Sequence, residues 1–399
     1  HALGTHGVRR CRCCVPMTDP LENALPVPPL PRGSQSRAWW RAPASPTALA
    51  WSIASAALAH EGPLLVVARD NHEAHQLEAD LHTLLGTAGD LPVVAFPDWE
   101  TLPYDQFSPH PDIVSQRLSA LHRLPTLEKG IVVVPVQTLM QRLSPLRHIA
   151  GGSFDYRMGQ RLDFDAEKRR LEAASYRHVP QVLDPGDFAV RGGLLDVYPM
   201  GADAPLRIEL LDDTIDSLRH FDPESQRSLD RVESVQLLPG REVPLDERSV
   251  ERAMTLLRDR FDVDTRRSAL YQDLKSGLAP AGVEYYLPLF FDATSTLFDY
   301  LHADALPVLT DGFGEAAEAF WAQTRNRYDQ RRHDIERPLL PPDELYLSPD
   351  SLRERLNQRL RVEVCGPQHS RHGDALPLGD QPLPPLPVAA KDAPAGEAL

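Results

Sequence analysis

Lysine is scarce in this sequence of 399 residues, which contains only Lys129, Lys168, Lys275 and Lys391, none of them preceded by glycine. A phosphate-binding loop needs both residue types, because glycine lets backbone N–H groups approach the phosphates and lysine reaches the outer ones. The loop before the first predicted helix, residues 41–47, lacks both and contains two prolines, which remove amide donors. The sequence therefore predicts a chain without an ATP site of this type.

Cysteine is equally rare, and three of the four cysteines lie in one short stretch: Cys11, Cys13, Cys14 and Cys365. This arrangement is not a disulfide framework, and no His or Cys pair follows at zinc-ligand spacing. Long apolar runs and the apolar core of a signal peptide are also lacking, so no membrane span is predicted. We expect a protein of the reducing cytoplasm.

The start of the chain resembles a leader more than a folded segment. The sequence opens with His1, and Met17 looks like a natural start. Residues 1–16 are therefore given no function, and residues 1–36 are expected to be a disordered tail.

Two candidate metal sites have simpler explanations. His72, His75 and His82 share a helix predicted over residues 71–85, and His60 lies near it, but no Cys or acidic partner completes a site, so a surface face is favoured. The Asp246-Glu247 pair has no hydrophobic strand before it and is interpreted as a helix start rather than a metal-holding motor box. We predict no catalytic residues, no metal and no cofactor.

Basic charge is also in deficit. The chain has 42 Lys and Arg against 57 Asp and Glu, a formal net charge of -15. Proteins that bind nucleic acid through phosphates normally carry a basic surface. The charge therefore favours protein partners and predicts weak, non-specific DNA binding at most.

The pattern of apolar runs predicts an α/β fold with a smaller domain inserted into it. Short buried strands alternate with amphipathic helices over residues 37–150 and again over residues 239–368, which is typical of a parallel sheet. Between them, residues 151–238 show short alternating strands and one helix, a smaller α+β unit. Residues 369–399 are rich in proline and predict a linker.

Several motifs in the same order resemble one protein family. Residues 96–110 read FPDWETLPYDQFSPH, residues 130–141 read GIVVVPVQTLMQ, and residues 190–199 read VRGGLLDVYP. With the segments 206–213 and 285–291, these are similar to the N-terminal, UvrB-like region of the transcription-repair coupling factors (Mfd). The resemblance covers residues 37–368 and implies a degenerate RecA/helicase-like sheet domain carrying an inserted UvrA-binding domain.

This resemblance implies a UvrA-recruiting module that links stalled RNA polymerase to nucleotide excision repair and is not itself an enzyme. The polymerase-binding domain and the ATP-driven translocase of that family are expected to lie outside this chain, so RNA polymerase and DNA are expected as partners only through them. The alternatives are a UvrB-like excision-repair helicase subunit and an unrelated nucleotide-binding regulator. The first is disfavoured because the phosphate-loop lysine is missing. It is also disfavoured because residues 104–107 run almost directly into a helix predicted from Ile113, which leaves no room for the long aromatic hairpin with which UvrB probes damaged DNA.

The predicted docking residues follow from strand alternation and then from the resemblance. In residues 206–211, alternation turns Arg207 and Leu211 outward, and in residues 188–191 it turns Arg191 outward. The residues alone also allow both arginines to pair with Asp196, Glu209 or Asp212 on the same sheet.

The resemblance assigns Arg191, Arg207 and Leu211 to the UvrA-binding surface, with Leu211 standing where many relatives have Phe. Because these positions are expected to be exposed, substituting them is expected to leave the fold intact.

Overall fold

The computed structural model describes residues 27–32, 35–43, 45–86, 91–261 and 263–366. The first three cysteines, most of the predicted tail and the predicted linker lie outside these residues. Among the described residues, no helix is long and apolar enough to cross a membrane.

The strands, in chain order, are β1 Arg37–Arg41, β2 Leu64–Ala68, β3 Val93–Ala95, β4 Ile131–Pro135, β5 Phe154–Arg157, β6 Arg177–His178, β7 Asp187–Arg191, β8 Leu194–Val197, β9 Leu206–Leu211, β10 Thr214–Phe221, β11 Ser228–Arg231, β12 Ser234–Leu237, β13 Leu306–Leu309 and β14 Arg361–Cys365.

The α-helices are α1 Pro46–Ala59, α2 Asn71–Leu85, α3 Pro111–Arg123, α4 Val136–Leu139, α5 Leu146–Gly151, α6 Phe164–Ala173, α7 Glu247–Arg260, α8 Ala269–Lys275, α9 Leu297–Tyr300, α10 Phe313–Arg331, α11 Pro342–Leu345 and α12 Pro349–Asn357. The apolar stretch predicted near residue 285 forms a 3₁₀ helix, Val283–Leu289.

A six-stranded parallel sheet in the order β1-β14-β13-β2-β4-β3 forms the centre of the larger unit. Every residue of β2, β4 and β13 is buried. A parallel strand covered on both faces needs a continuous apolar run, which is what residues 64–68 and 131–135 supply. The predicted α/β class with an inserted smaller unit is confirmed.

The inserted unit is built on a second six-stranded sheet in the order β11-β10-β9-β8-β7-β6. Its chain enters through β5 and leaves through β12, and these two strands pair antiparallel from Phe154 opposite Leu237 to Arg157 opposite Ser234. That pairing brings the two ends of the insertion together beside the larger unit. The domain bounds proposed from the sequence stay a prediction.

Strand β1 was not predicted from the sequence, although residues 37–150 were expected to be folded. Residues 37–41 read RAWWR, and the two terminal arginines hide the apolar pattern. The strand forms because it pairs with β14 in parallel, while Trp40 is fully buried and its indole N–H donates to the Pro29 carbonyl at 2.8 Å.

One buried ion pair fixes the segment through which the chain returns from β12 to the larger unit. The Arg117 side chain on α3 donates from Nε to Glu242 Oε1 at 2.5 Å and from Nη1 to the Pro97 carbonyl at 2.8 Å. Its guanidinium lies 4.4 Å from the ring centre of Phe96 and 5.0 Å from that of Trp99. Both charges are buried, so each depends on the other for compensation of its lost hydration.

The irregular segment between β3 and α3 is held from one side by α10. Arg327 donates to the Pro103 carbonyl and to Asp105, both at 2.6 Å, and Arg331 donates to the Tyr104 carbonyl at 2.8 Å. Tyr104 is buried with φ 65°. No strand occurs in residues 96–110, all of which the structure describes.

We expect the protein to lose stability when one partner of the buried Arg117–Glu242 pair is removed. Arg117→Met should lower the free energy of unfolding by about 3–5 kcal/mol, because Glu242 would be left as an uncompensated buried charge. The matched control is Arg353→Met on α12, which removes exposed pairs with Asp350 and with Glu318 of α10 and should cost about 1 kcal/mol or less. Urea titration measures both, and equal losses in the two variants would contradict the assignment.

Candidate docking surface on the inserted sheet

The three predicted docking residues lie on one face of the inserted sheet. Strand register places Asp196 of β8 directly opposite Arg207 of β9, and Arg191 of β7 opposite Leu194 of β8. Residues opposite each other on neighbouring strands point to the same face. The hairpin turn between β7 and β8 is Gly192-Gly193, where Gly192 has φ 57°, a conformation that a side chain disfavours.

The buried carboxylate of Asp196 organises the part of this face that carries both arginines. Asp196 is 1% exposed and accepts three hydrogen bonds from arginine. Arg207 donates from Nε to Oδ1 at 2.7 Å and from Nη2 to Oδ2 at 2.9 Å, and Arg191 donates from Nη2 to Oδ2 at 2.8 Å. Charge-assisted, forked contacts of this kind are the strong ones, and they compensate the burial of the charge.

Arg207 is mostly covered, which differs from the outward exposure expected from alternation. Its side chain is 14% exposed, its guanidinium lies 4.6 Å from the ring centre of Phe221, and Nη1 donates to the Gln226 carbonyl at 3.1 Å. The hydrogen bond to Asp196 raises the pKa of Arg207 above its ordinary value. Phe221 belongs to a small apolar cluster with Val182 and Ala189 on this side of the sheet.

Arg191 and Leu211 are the accessible members of the group. The Arg191 side chain is 50% exposed and uses one nitrogen on Asp196. Leu211, the last residue of β9, is 66% exposed. The neighbouring Leu210 N–H donates to the Gly193 carbonyl, so Leu211 lies beside the glycine turn. The face therefore presents an oriented cation on β7 and an exposed apolar side chain at the end of β9.

The structure selects one of the ion-pair partners that the sequence left open. Both arginines pair with Asp196, rather than with Glu209 or Asp212. Docking and internal pairing are compatible for Arg191, which keeps half of its surface. The expectation that substitutions here spare the fold stays a prediction, but for Arg207 the structure favours the opposite outcome, because Arg207 compensates a buried charge.

Asp196 is the residue that sequence reasoning missed as part of the site. It is the one carboxylate in the apolar strand β8, LLDV, where alternation points it away from Leu195 and Val197. A lone charge on a mostly covered strand signals a paired partner. The partner could not be chosen without the strand register.

The position expected for a phosphate loop is the connection between β1 and α1. There the Ser45 side chain caps α1 by accepting from the Ala48 N–H at 3.2 Å, and Pro46 is the first helical residue. Among the described residues, no cluster of three or more His, Cys, Asp or Glu side chains is placed to hold a metal ion.

Comparison with known proteins places this surface in a family domain. Residues 154–242 match the model of the UvrB interaction domain. The chain is 43% identical over 345 residues, 86% of its length, to the transcription-repair-coupling factor of Escherichia coli, and 41% identical over 79% of its length to that of Haemophilus influenzae. The Bacillus subtilis protein of the same name is 27% identical over 65% of the chain.

The predicted resemblance to transcription-repair coupling factors is confirmed. The matched region spans 30% of the Escherichia coli coupling factor, 27% of the Haemophilus influenzae one and 23% of the Bacillus subtilis one. All of the docking residues and Asp196 fall inside the matched UvrB interaction domain.

Because Arg207 is mostly covered and Leu211 is exposed, we expect substitutions at these two residues to lower the free energy of unfolding by different amounts. Arg207→Ala should lower the free energy of unfolding by about 2 kcal/mol, because hydrogen bonds to a charged group are lost at a buried site. Leu211→Ala should change it by about 0.5 kcal/mol or less, since the side chain is exposed. Chemical denaturation of both variants tests this, and a harmless Arg207→Ala change would show that Asp196 does not depend on Arg207.

Proposed function

We propose that the outer face of β7, β8 and β9 is a docking site for UvrA, and that the chain is the UvrA-recruiting module of a transcription-repair coupling factor. In such a protein the module would link stalled RNA polymerase to nucleotide excision repair in the cytoplasm. The single observation that carries the proposal is the half-exposed Arg191 held by the buried Asp196, on the same sheet face as the exposed Leu211 and inside a region matched by the UvrB interaction domain.

The geometry suits a hot spot for protein binding. Arg191 donates one nitrogen to Asp196 and leaves the rest of its guanidinium at a half-exposed position, where it can fork to a partner carboxylate. Because the guanidinium is already anchored, less rotamer entropy is lost on binding. Leu211 supplies the apolar area that excludes water from the neighbouring ion pair.

Arg207 is assigned a positioning role. Its two hydrogen bonds hold the Asp196 carboxylate in place, and the same carboxylate orients Arg191. The small exposed edge of Arg207 adds a lesser contact area. Its loss would therefore weaken UvrA binding mainly through Arg191.

The proposal gives this chain no catalytic site. The capped start of α1, with Pro43 and Pro46 around it and no lysine in the loop, supports a chain that does not bind ATP. The charge of -15 supports protein rather than DNA as its direct partner. DNA and RNA polymerase are proposed as partners of other parts of a coupling factor.

The second candidate is a UvrB-like helicase subunit, which the match to the UvrB interaction domain would also allow. The two candidates differ in ATP turnover. Hydrolysis by the 399-residue chain, abolished by substitutions in residues 41–47, would favour the helicase.

The proposed site predicts a graded loss of UvrA affinity. Arg191→Ala should cost about 2 kcal/mol of binding free energy, a hot-spot value, or roughly thirtyfold in Kd. Leu211→Ala should cost about 1 kcal/mol because less apolar surface is buried. Arg191→Glu should bind more weakly than Arg191→Ala, because a carboxylate would repel the acidic partner group. Calorimetric titration with purified UvrA measures each variant.

The matched control is Arg157→Ala on β5, which removes an exposed, paired arginine from the other sheet of the inserted unit. It should bind UvrA normally. Thermal melting of each variant separates lost contacts from lost folding. A folded Arg191→Ala, Leu211→Ala double variant with unchanged affinity would place the UvrA site elsewhere.

A further inference from the structure

A second charged surface lies away from the proposed UvrA site, in a cleft between α5, the start of α7 and residues 290–292. The cleft has a volume of about 430 Å³ and adjoins a second one of about 350 Å³ that shares Arg147 and His148 with it. No residue of β6–β11 lines either cleft. The two surfaces therefore need not share a partner.

Positive charge is concentrated in these two clefts. Their lining contains four arginines and two carboxylates, namely Arg147, Arg241, Arg248, Arg252, Asp246 and Asp292. The Asp246 carboxylate is engaged as the cap of α7, where it accepts from Ser249 N–H at 3.1 Å and from the Ser249 hydroxyl at 2.7 Å. A local excess of arginine in a chain of net charge -15 favours an anionic ligand at this place.

Arg241 faces the buried Glu284 carboxylate, with its Nη1 3.9 Å from Oε1, whereas the other three arginines are available for a ligand. Arg248 is exposed and has no ion-pair partner among the residues that the structure describes. Arg147 is 71% exposed and lies 3.8 Å from Asp292, while Arg252 pairs with the same carboxylate at 2.7 Å. Asp292 is itself 73% exposed, and such surface pairs contribute about 1 kcal/mol at most. An incoming carboxylate could replace Asp292 at little cost.

The floor of the cleft is apolar and aromatic. Phe290 is buried, and the half-buried Phe291 makes an edge-to-face contact with the His148 ring at 5.4 Å. Burial lowers the pKa of His148, so its ring is neutral at pH 7 and adds no charge. An arginine rim over an aromatic floor fits an acidic residue next to an apolar one.

We propose that this cleft docks an acidic segment of a protein partner, whose carboxylates pair with Arg147, Arg248 and Arg252 while an apolar neighbour packs on Phe291. A carboxylate is favoured over a nucleic-acid phosphate because the Asp292 carboxylate already lies between Arg147 and Arg252 and shows that the site accommodates this group.

The first test removes the internal competitor. The probe is a fluorescein-labelled synthetic peptide with four glutamates and one phenylalanine, titrated against the 399-residue chain by fluorescence anisotropy. Asp292→Asn should tighten binding by about fivefold, because the arginines are released from an exposed pair. The matched control is Asp329→Asn, which makes the same charge change elsewhere. Asp329 lies on α10 and forms an exposed pair with Arg332, which directly follows that helix. Equal tightening in both variants would overturn the proposal.

The second test removes the binding groups. The Arg147→Gln, Arg248→Gln double variant should weaken the peptide by about tenfold or more. The Arg325→Gln, Arg332→Gln double variant, with the same charge change elsewhere, should bind as the unchanged chain does. Absence of saturable peptide binding to the unchanged chain would refute the proposal. The proposal would also be refuted if inorganic phosphate or duplex DNA displaced the labelled peptide at lower concentrations than unlabelled peptide does. That result would indicate a phosphate site.

Discussion

The buried pair of Arg117 and Glu242 is the contact that fixes where the chain re-enters the larger unit after β12. Glu242 is the last residue of the matched interaction domain, and Arg117 lies on α3 of the larger unit, 125 positions earlier. A buried carboxylate is tolerated only where a partner compensates its lost hydration. The pair therefore holds the segment that follows β12 against α3, and Phe96 and Trp99 pack around the guanidinium to exclude water.

On the proposed docking face, too, a buried carboxylate is compensated by arginine. Asp196 is as deeply buried as Glu242, and it too is held by arginine. The difference is that one of its two arginines, Arg191, reaches the surface. Internal pairing and partner recognition are thus not alternatives on this sheet. The carboxylate that keeps Arg207 inside also orients the guanidinium that we assign to UvrA.

Much of the fold could be predicted because local signals agreed with one another. Helix α2 was predicted with its observed ends, Asn71 and Leu85, since Asp70 caps its start and Gly86, with φ 64°, follows its end. The start of α7 after Asp246 was also predicted correctly. Strand β1 was missed because its stability comes from pairing with β14, more than 300 residues away.

The site was predictable only in part, because it too depends on the pairing of separate strands. Alternation correctly separated the buried Leu206 and Ile208 from the exposed Leu211. It could not show that Asp196 lies opposite Arg207, because that depends on the register of two strands. Cross-strand register also decides how much of an arginine remains exposed, so the division of roles between Arg191 and Arg207 required the structure.

The central claim is that this face of the inserted sheet is a UvrA-binding surface of the kind that UvrB also carries. The most direct measurement is competition, with UvrA immobilised, the 399-residue chain bound at a fixed concentration and UvrB added in increasing amounts. The account predicts that UvrB displaces the chain completely, because both use one surface of UvrA. Simultaneous binding of the chain and UvrB to the same UvrA would contradict it.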